Sequence, residues 1–329
     1  VLAVLTAALA VLAGGVSTAG PASAEVAQWS VAPSAGSEGQ ERANYGYVLD
    51  PGAVVSDVLV VTNLGEQPLD LGVYAADGFT TDTGQLDVLP GGRPSTDLGS
   101  WVAPATDRIT VAPGERIEVP FTLTVPADAT AGDHSGAIVT SLLTGAGDGG
   151  VAVDRRLGVR IHTLVSGDLV AGLAVDDLTV DYEGAAVPFA PGTAVVRFTL
   201  TNTGNTRVAA DQVVRVRGPW GLGTVTLPTT RTPELLPGAS LPVVVPVDGV
   251  PALVGLTADV ALAPAAVGAS GVPVDPVAAS SQGTALSWPT LAVLVLLVAA
   301  VAVLRRLAAR RASRHPSPLR SARALEGRS

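Results

Sequence analysis

The chain has 329 residues, enough for two or three domains, and is 47% hydrophobic, 4% aromatic and 15% charged. It contains no cysteine, which excludes a disulfide framework, a Cys-ligated metal and a Cys nucleophile. The net charge is −9 although eight arginines and a single acid, Glu326, follow residue 304; the body is therefore strongly acidic, and no nucleic-acid partner is expected.

Residues 1–24 begin "VLAVLTAALAVLAGG" and reach Ala22-Ser23-Ala24. An apolar run followed by a small-residue cleavage triplet reads as a secretory signal peptide, with the mature chain starting near Glu25. Strand signals dominate from Val26 to about Pro264. In "IEVPFTLTV", Ile117, Val119, Phe121, Leu123 and Val125 share one face, and Glu118, Pro120, Thr122 and Thr124 the other. That period of two marks a strand with one buried side. Pro120 predicts an edge or a bulge.

One phrase is written twice. "LDPGAVVSD" precedes "VVTNLG" (Val60–Gly65), and "FAPGTAVVR" precedes "TLTNTG" (Thr199–Gly204). Each copy reads as a Pro-Gly turn, a strand, and an Asn-x-Gly turn in which Asn and Gly tolerate positive φ. A second Pro-Gly phrase follows in each half, at Pro113-Gly114 and Pro237-Gly238. The expectation is an all-β protein of two tandem Ig-like β-sandwich domains, over 26–168 and 169–264, followed by a single transmembrane helix. Residues 265–284, small and Gly/Pro-rich, read as an extended linker.

Residues 285–304 carry no charge over a length that can cross ~30 Å of hydrocarbon. Trp288 and the arginines Arg305 and Arg306 fit the two membrane interfaces, and Pro289 fits a first helical turn. The basic tail, 305–329, is expected in the cytoplasm and the N-terminal part outside, giving a single-pass cell-membrane protein. A sortase signal would need an LPxTG-like motif before the apolar run; the nearest string, "LPTTR" at Leu227–Arg231, has the wrong ending and lies far upstream.

Catalytic signals are weak. His134 sits between Asp133 and Ser135, but a triad needs members that converge in space, and this string reads as a turn entering a strand over Gly136–Leu143. HExxH, GxSxG and P-loop spacings do not occur, so neither an enzyme nor a cofactor is expected. The Asp-rich stretch Asp77–Asp87 fails the calcium-loop template, and no metal is expected. Binding has better candidates. Sugar rings stack on exposed aromatics, which nominates Tyr45, Tyr47, Tyr74, Phe79 and Trp101, although Tyr47, Tyr74 and Trp101 suit core packing as well; His134 is a further candidate ligand contact. In "VAVDRRLGVRIHTL", Arg156, Arg160 and His162 share one strand face, and Leu157, Val159 and Ile161 the other. Such a stripe could meet the carboxylates and phosphates of wall polymers.

Four stretches carry a resemblance: "WSVAPS" (Trp29–Ser34), "YVLDPGAVVSDVLVVTNLGEQPLDLGVYAADG" (Tyr47–Gly78), "ITVAPGERIEVPFTLTVPADATAGDHSGAIVTSL" (Ile109–Leu142) and "RRLGVRIHTLVSGDL" (Arg155–Leu169). Together they resemble the peptidoglycan-binding domain of WxL-interacting proteins on Gram-positive surfaces. The resemblance implies that the first domain binds peptidoglycan and that the rest contacts another cell-surface protein. The expected function is a non-catalytic surface protein that binds peptidoglycan or a wall-associated partner and tethers it to the lipid membrane. The alternative is an Ig-like assembly or scaffold subunit acting by strand addition at a sheet edge.

Overall fold

The computed structural model describes residues 28–35, 42–144, 152–252 and 254–312. The expected signal peptide and the tail beyond residue 312 lie outside the described residues.

The first sandwich is built from β1 (Trp29–Pro33), β2 (Tyr45–Leu49), β3 (Val54–Asn63), β4 (Leu69–Thr80), β5 (Leu86–Val88), the single-turn helix α1 (Leu98–Trp101), β6 (Val102–Pro104), β7 (Arg108–Val111), β8 (Arg116–Thr124), β9 (Gly132–Thr144) and β10 (Val153–Val165). One sheet has the order β1-β3-β8-β6; the other runs β2-β10-β9-β4-β5, with β7 also on β4. The inner faces meet through Leu59, Val61, Leu71, Phe121, Leu123, Ile138 and Ile161. Burying side chains of this size stabilises by roughly 1.5–3 kcal/mol each, and this is what holds the two sheets face to face. The predicted inward row of β8 faces this core, with Val119, Phe121 and Leu123 buried.

The second sandwich comprises β11 (Leu173–Glu183), β12 (Gly192–Asn202), β13 (Val208–Arg217), β14 (Val225–Thr226), β15 (Thr230–Arg231), β16 (Ser240–Val250), β17 (Gly255–Ala266) and β18 (Val277–Thr284). Its sheets run β11-β12-β16 and β14-β13-β17-β18, with β15 also on β13. Val196, Phe198, Leu200, Val214, Val247 and Val260 fill the space between them. The long helix α2 (Trp288–Ala312) follows. Within Trp288–Arg311 an 18-residue window has a mean hydropathy of 2.4 with none of it buried, and the helix is long and apolar enough to cross a membrane.

The repeated phrase has a sharper physical basis than a turn. Asn63 and Asn202 are both buried. Asn63 Nδ2 donates to the carbonyls of Gln67 (2.8 Å) and Val111 (3.0 Å), and its Oδ1 accepts from the Gly65 N–H (2.9 Å). Asn202 repeats this with Thr206 (2.8 Å), Leu235 (3.0 Å) and Gly204 (3.0 Å). Each amide thus closes its own loop and pins it to a second strand-end segment. Neither Asn nor the following Gly adopts positive φ, contrary to expectation; the side chain, not an unusual backbone, does the work. Among the Pro-Gly pairs, Gly52, Gly114 and Gly238 do have positive φ.

Other expectations are also revised. The 265–284 segment is not wholly a linker: β18 pairs with β17 from Gly255↔Thr284 to Leu262↔Val277. Its small residues carry little apolar period of their own, and β17 supplies the register. β8 is not an edge strand, since β3 lies along one side and β6 pairs with Phe121–Leu123 on the other. Pro120 is tolerated because β6 pairing begins just after it. His134 lies inside β9, which begins at Gly132 rather than Gly136. The helix starts at Trp288 rather than Ala285, because Ala285 and Ser287 are buried against the sandwich.

Candidate binding site

The start of β9 meets the second sandwich at a polar junction. Gly132 has φ 129°, and a Cβ there would lie 2.3 Å from the Asn205 carbonyl oxygen, so only glycine allows the approach. Next to it, the Asp133 N–H donates to the Asn205 carbonyl (2.7 Å). The Asn205 side chain donates to the carbonyls of Ala131 (2.9 Å) and Asp168 (2.8 Å), and accepts from the Val170 N–H (2.7 Å). Arg207 donates to Asp133 through its backbone N–H (2.9 Å) and its Nε (3.1 Å), and its Nη1 reaches Glu234 (2.7 Å). The side chains of Arg207 and Asp133 are 9% and 2% exposed, so this is a desolvated pair that joins the two sandwiches.

Beside the junction is a cleft of about 510 Å³, lined by Phe79, Asp97, His134, Ser135, Asn205 and Pro237, among others. His134 Nδ1 faces Asp97 Oδ1 (2.5 Å), and Nε2 faces the Thr130 carbonyl (2.9 Å). Both partners only accept, an arrangement that favours protons on both ring nitrogens and so the charged form of His134. Burial opposes that charge, but the hydrogen bonds to Asp97 and Thr130 outweigh it and raise the pKa. The Trp101 ring packs on the His134 ring at 4.5 Å between centroids, a contact that suits the charged form as well.

Ser135 does not join His134. Its hydroxyl shares a 2.9 Å hydrogen bond with His162 Nδ1. Burial, helped by the positive charges of Arg207 and Arg160, lowers the His162 pKa to about 4. Asp97–His134 and Ser135–His162 are therefore two separate pairs, the first favouring a charged imidazole and the second a neutral one. The carboxylate orients a histidine that does not contact the serine, which leaves the serine without the relay a nucleophile needs.

A second groove, about 400 Å³, crosses the outer face of the β10-β9-β4 sheet. Arg156 and Arg160 flank a floor of Ala137, Val139 and Gly158, with Leu86, Asp87 and Val88 of β5 as the far wall. Tyr74 lies next to Arg156. Asp154 stands 3.7 Å from Arg156.

The predicted site residues thus divide. Phe79 and His134 line the cleft, Arg156 and Arg160 line the groove, and His162 is half-buried, bonded to Ser135. Tyr45 is corrected outright: it is fully buried, edge-on to Phe121, with its hydroxyl donating to the Val58 carbonyl (2.7 Å). Tyr47 is half-buried and donates to Asp57 (2.6 Å), which also holds Arg42 (2.6 Å). Burial and that bond push the Tyr47 pKa far upward. Trp101 is half-buried against His134. Of the inward row on β10, Val159 and Ile161 are buried, but Leu157 is exposed near the free end of the β9–β10 ribbon. Sequence reasoning did not find Asp97, Asn205, Arg207 or Glu234. No local pattern marks them, because their partners are distant in the chain.

No protein-family model matches the chain, and no curated protein matches it. Among solved structures, the class 5 fimbriae chaperone CfaA is similar at a TM-score of 0.36 and 9% identity, covering 79% of this chain and 100% of that one. The Pseudomonas aeruginosa CupB2 chaperone gives 0.30 and 10%, covering 74% and 98%. The CsuC–CsuE chaperone–tip adhesion subunit complex of Acinetobacter baumannii pili gives 0.33 and 7%, covering 67% and 91%. Likenesses this distant carry no argument about function.

Proposed function

We propose that this protein is a non-catalytic, single-pass membrane protein whose outer sandwich binds peptidoglycan and so ties the wall to the membrane. The groove on the outer sheet face carries this reading. Arg156 and Arg160 stand over a shallow floor of small residues, a shape suited to an extended polymer with anionic stems. The likeness of the first domain's sequence to WxL-interacting proteins points the same way. Helix α2 is the anchor, and Arg305, Arg306, Arg310 and Arg311 at its end favour a cytoplasmic C-terminus. Full-length protein in detergent, mixed with insoluble peptidoglycan, sediments with it on this reading and releases no soluble fragments. Protein left wholly in the supernatant would refute it.

A second reading, strand addition to a surface-protein partner, has one observation in its favour. Among the described residues β2 covers only Ile161–Val165 of β10, so Val153–Arg160 has no ladder partner on the side away from β9. The long edge β16 is less suited, because Pro242 and Pro246 withhold two N–H donors from it. On this reading the protein ignores peptidoglycan, and Leu157→Pro abolishes capture of an extended partner segment.

A further inference from the structure

The second sandwich has two unlike poles. The pole that holds Asn202, Val208, Ser240 and Ala266 faces the first sandwich through Asn205, Arg207 and Glu234. The other pole is where the helix leaves. Strand pairing sets this arrangement: Glu183↔Thr193, Gly192↔Val250, Arg217↔Thr257 and Gly255↔Thr284 bring the remaining strand ends together. A Cβ on Gly184 would sit 3.3 Å from Ser287 Cα, which closes β11 against the end of β18 at that same pole.

Three loops project there, over 184–191, over 218–224 and at Pro251, Ala252 and Val254, and none of these residues is charged although 15% of the chain is charged. Their large apolar side chains point into solvent: Val187 65% exposed, Phe189 63%, Trp220 95%, Leu222 56% and Val254 79%. Phe189 and Trp220 hold φ at 62° and 56°, an uncommon and costly backbone for bulky residues. A soluble surface has no reason to keep aromatics in water at that cost.

The membrane segment adjoins this pole with no slack. Only Ala285–Ser287 separate β18 from α2, and Ala285 and Ser287 are themselves buried. The Phe189 N–H donates to Thr290 Oγ1 (2.9 Å), so the 184–191 loop stands level with the first helical turn. The helix from Trp288 to Arg311, at ~1.5 Å per residue, is about 36 Å long and outspans the hydrocarbon core. If the helix is in the bilayer, the loops reach its surface.

We propose that this pole is a bilayer-docking surface: Val187, Phe189, Trp220, Leu222 and Val254 insert into the interfacial layer around the helix and seat the second sandwich on the membrane. The occupant is lipid: the charge-free loops fit the apolar side of that layer, and the charged strand ends beside them, Glu183, Arg217 and Asp248, stand level with the headgroups. The inference rests on the reading of α2 as a membrane span, and the test separates the two.

Because the chain has no cysteine, a single introduced thiol can carry one nitroxide. Full-length Trp220→Cys and Val254→Cys, with Leu296→Cys in mid-helix and Asp128→Cys on the first sandwich, are labelled and placed in phosphatidylcholine vesicles. Power-saturation EPR then compares collisions with oxygen and with a water-soluble nickel chelate. The expected result is strong nickel exclusion at 296, clear partial exclusion at 220 and 254, and full access at 128. Labels at 220 and 254 as accessible as that at 128, with 296 protected, overturn the docking and leave the span intact. Access at 296 as well overturns the span and the docking together.

Discussion

The Arg207–Asp133–Glu234 cluster makes a quantitative prediction. Arg207→Ala removes the Nε donor from a carboxylate that is only 2% exposed, and leaves Glu234, 27% exposed, without its partner. Removing one member of a buried ion pair costs about 3–5 kcal/mol, because the remaining charge stays desolvated. The exposed Glu234 bond adds at most ~1 kcal/mol. A loss near 4 kcal/mol is a large share of the 5–15 kcal/mol that holds a typical domain, and at ~2–4 °C per kcal/mol it lowers Tm by about 10 °C. Since the pair joins the sandwiches, its loss also uncouples them, and one calorimetric transition becomes two. The double variant Arg207→Met/Asp133→Leu recovers much of the loss, because apolar replacements of a buried pair are often neutral. A change below ~0.5 kcal/mol for Arg207→Ala would refute the reasoning, since only a hydrated pair is that cheap to break.

Further outcomes follow from the same geometry. The His162 pKa is held near 4 against an ordinary 6.5, so the unfolded chain binds more protons between those values. Stability is full above pH 6.5 and falls as pH drops toward 4; His162→Gln flattens that acid slope in urea melts run at pH 5 and pH 7. His134 behaves oppositely: its raised pKa gives stability that is full below pH 6.5 and is lost as pH rises through the folded value, and Asp97→Asn removes this effect. Asn63→Ala and Asn202→Ala each strand buried backbone groups and cost about 3 kcal/mol or more by chemical denaturation, nearly alike because the two clamps are alike. Arg156→Glu with Arg160→Glu abolishes sedimentation with peptidoglycan while leaving Tm within ~1 °C, as expected for exposed residues.

What the sequence disclosed was whatever is local. The row Val119, Phe121, Leu123 was visible because a strand's period is two residues, and α2 was visible because a long apolar helix is one uninterrupted apolar run. The twice-written phrase disclosed two alike domains, but not the buried amide clamp, because Val111 and Leu235 are far from the asparagines they bind. The Tyr45 error has a similar cause: a five-residue strand alternates too briefly to say which face is inward. β18 escaped notice because "VAASSQGT" has little hydrophobic contrast. The cleft was least legible of all. Asp97 meets His134 across 37 residues, and Asp133 meets Arg207 across 74, distances over which no local pattern operates.

The entry and exit of the chain at opposite poles of the second sandwich bear on how it carries load. A pull applied between the first sandwich and α2 enters at the start of β11 and leaves at the end of β18, along the strand direction. The sheets are then sheared, with many ladder bonds strained at once, instead of being peeled open one bond after another. A module strung this way resists pulling far better than its equilibrium stability alone would suggest.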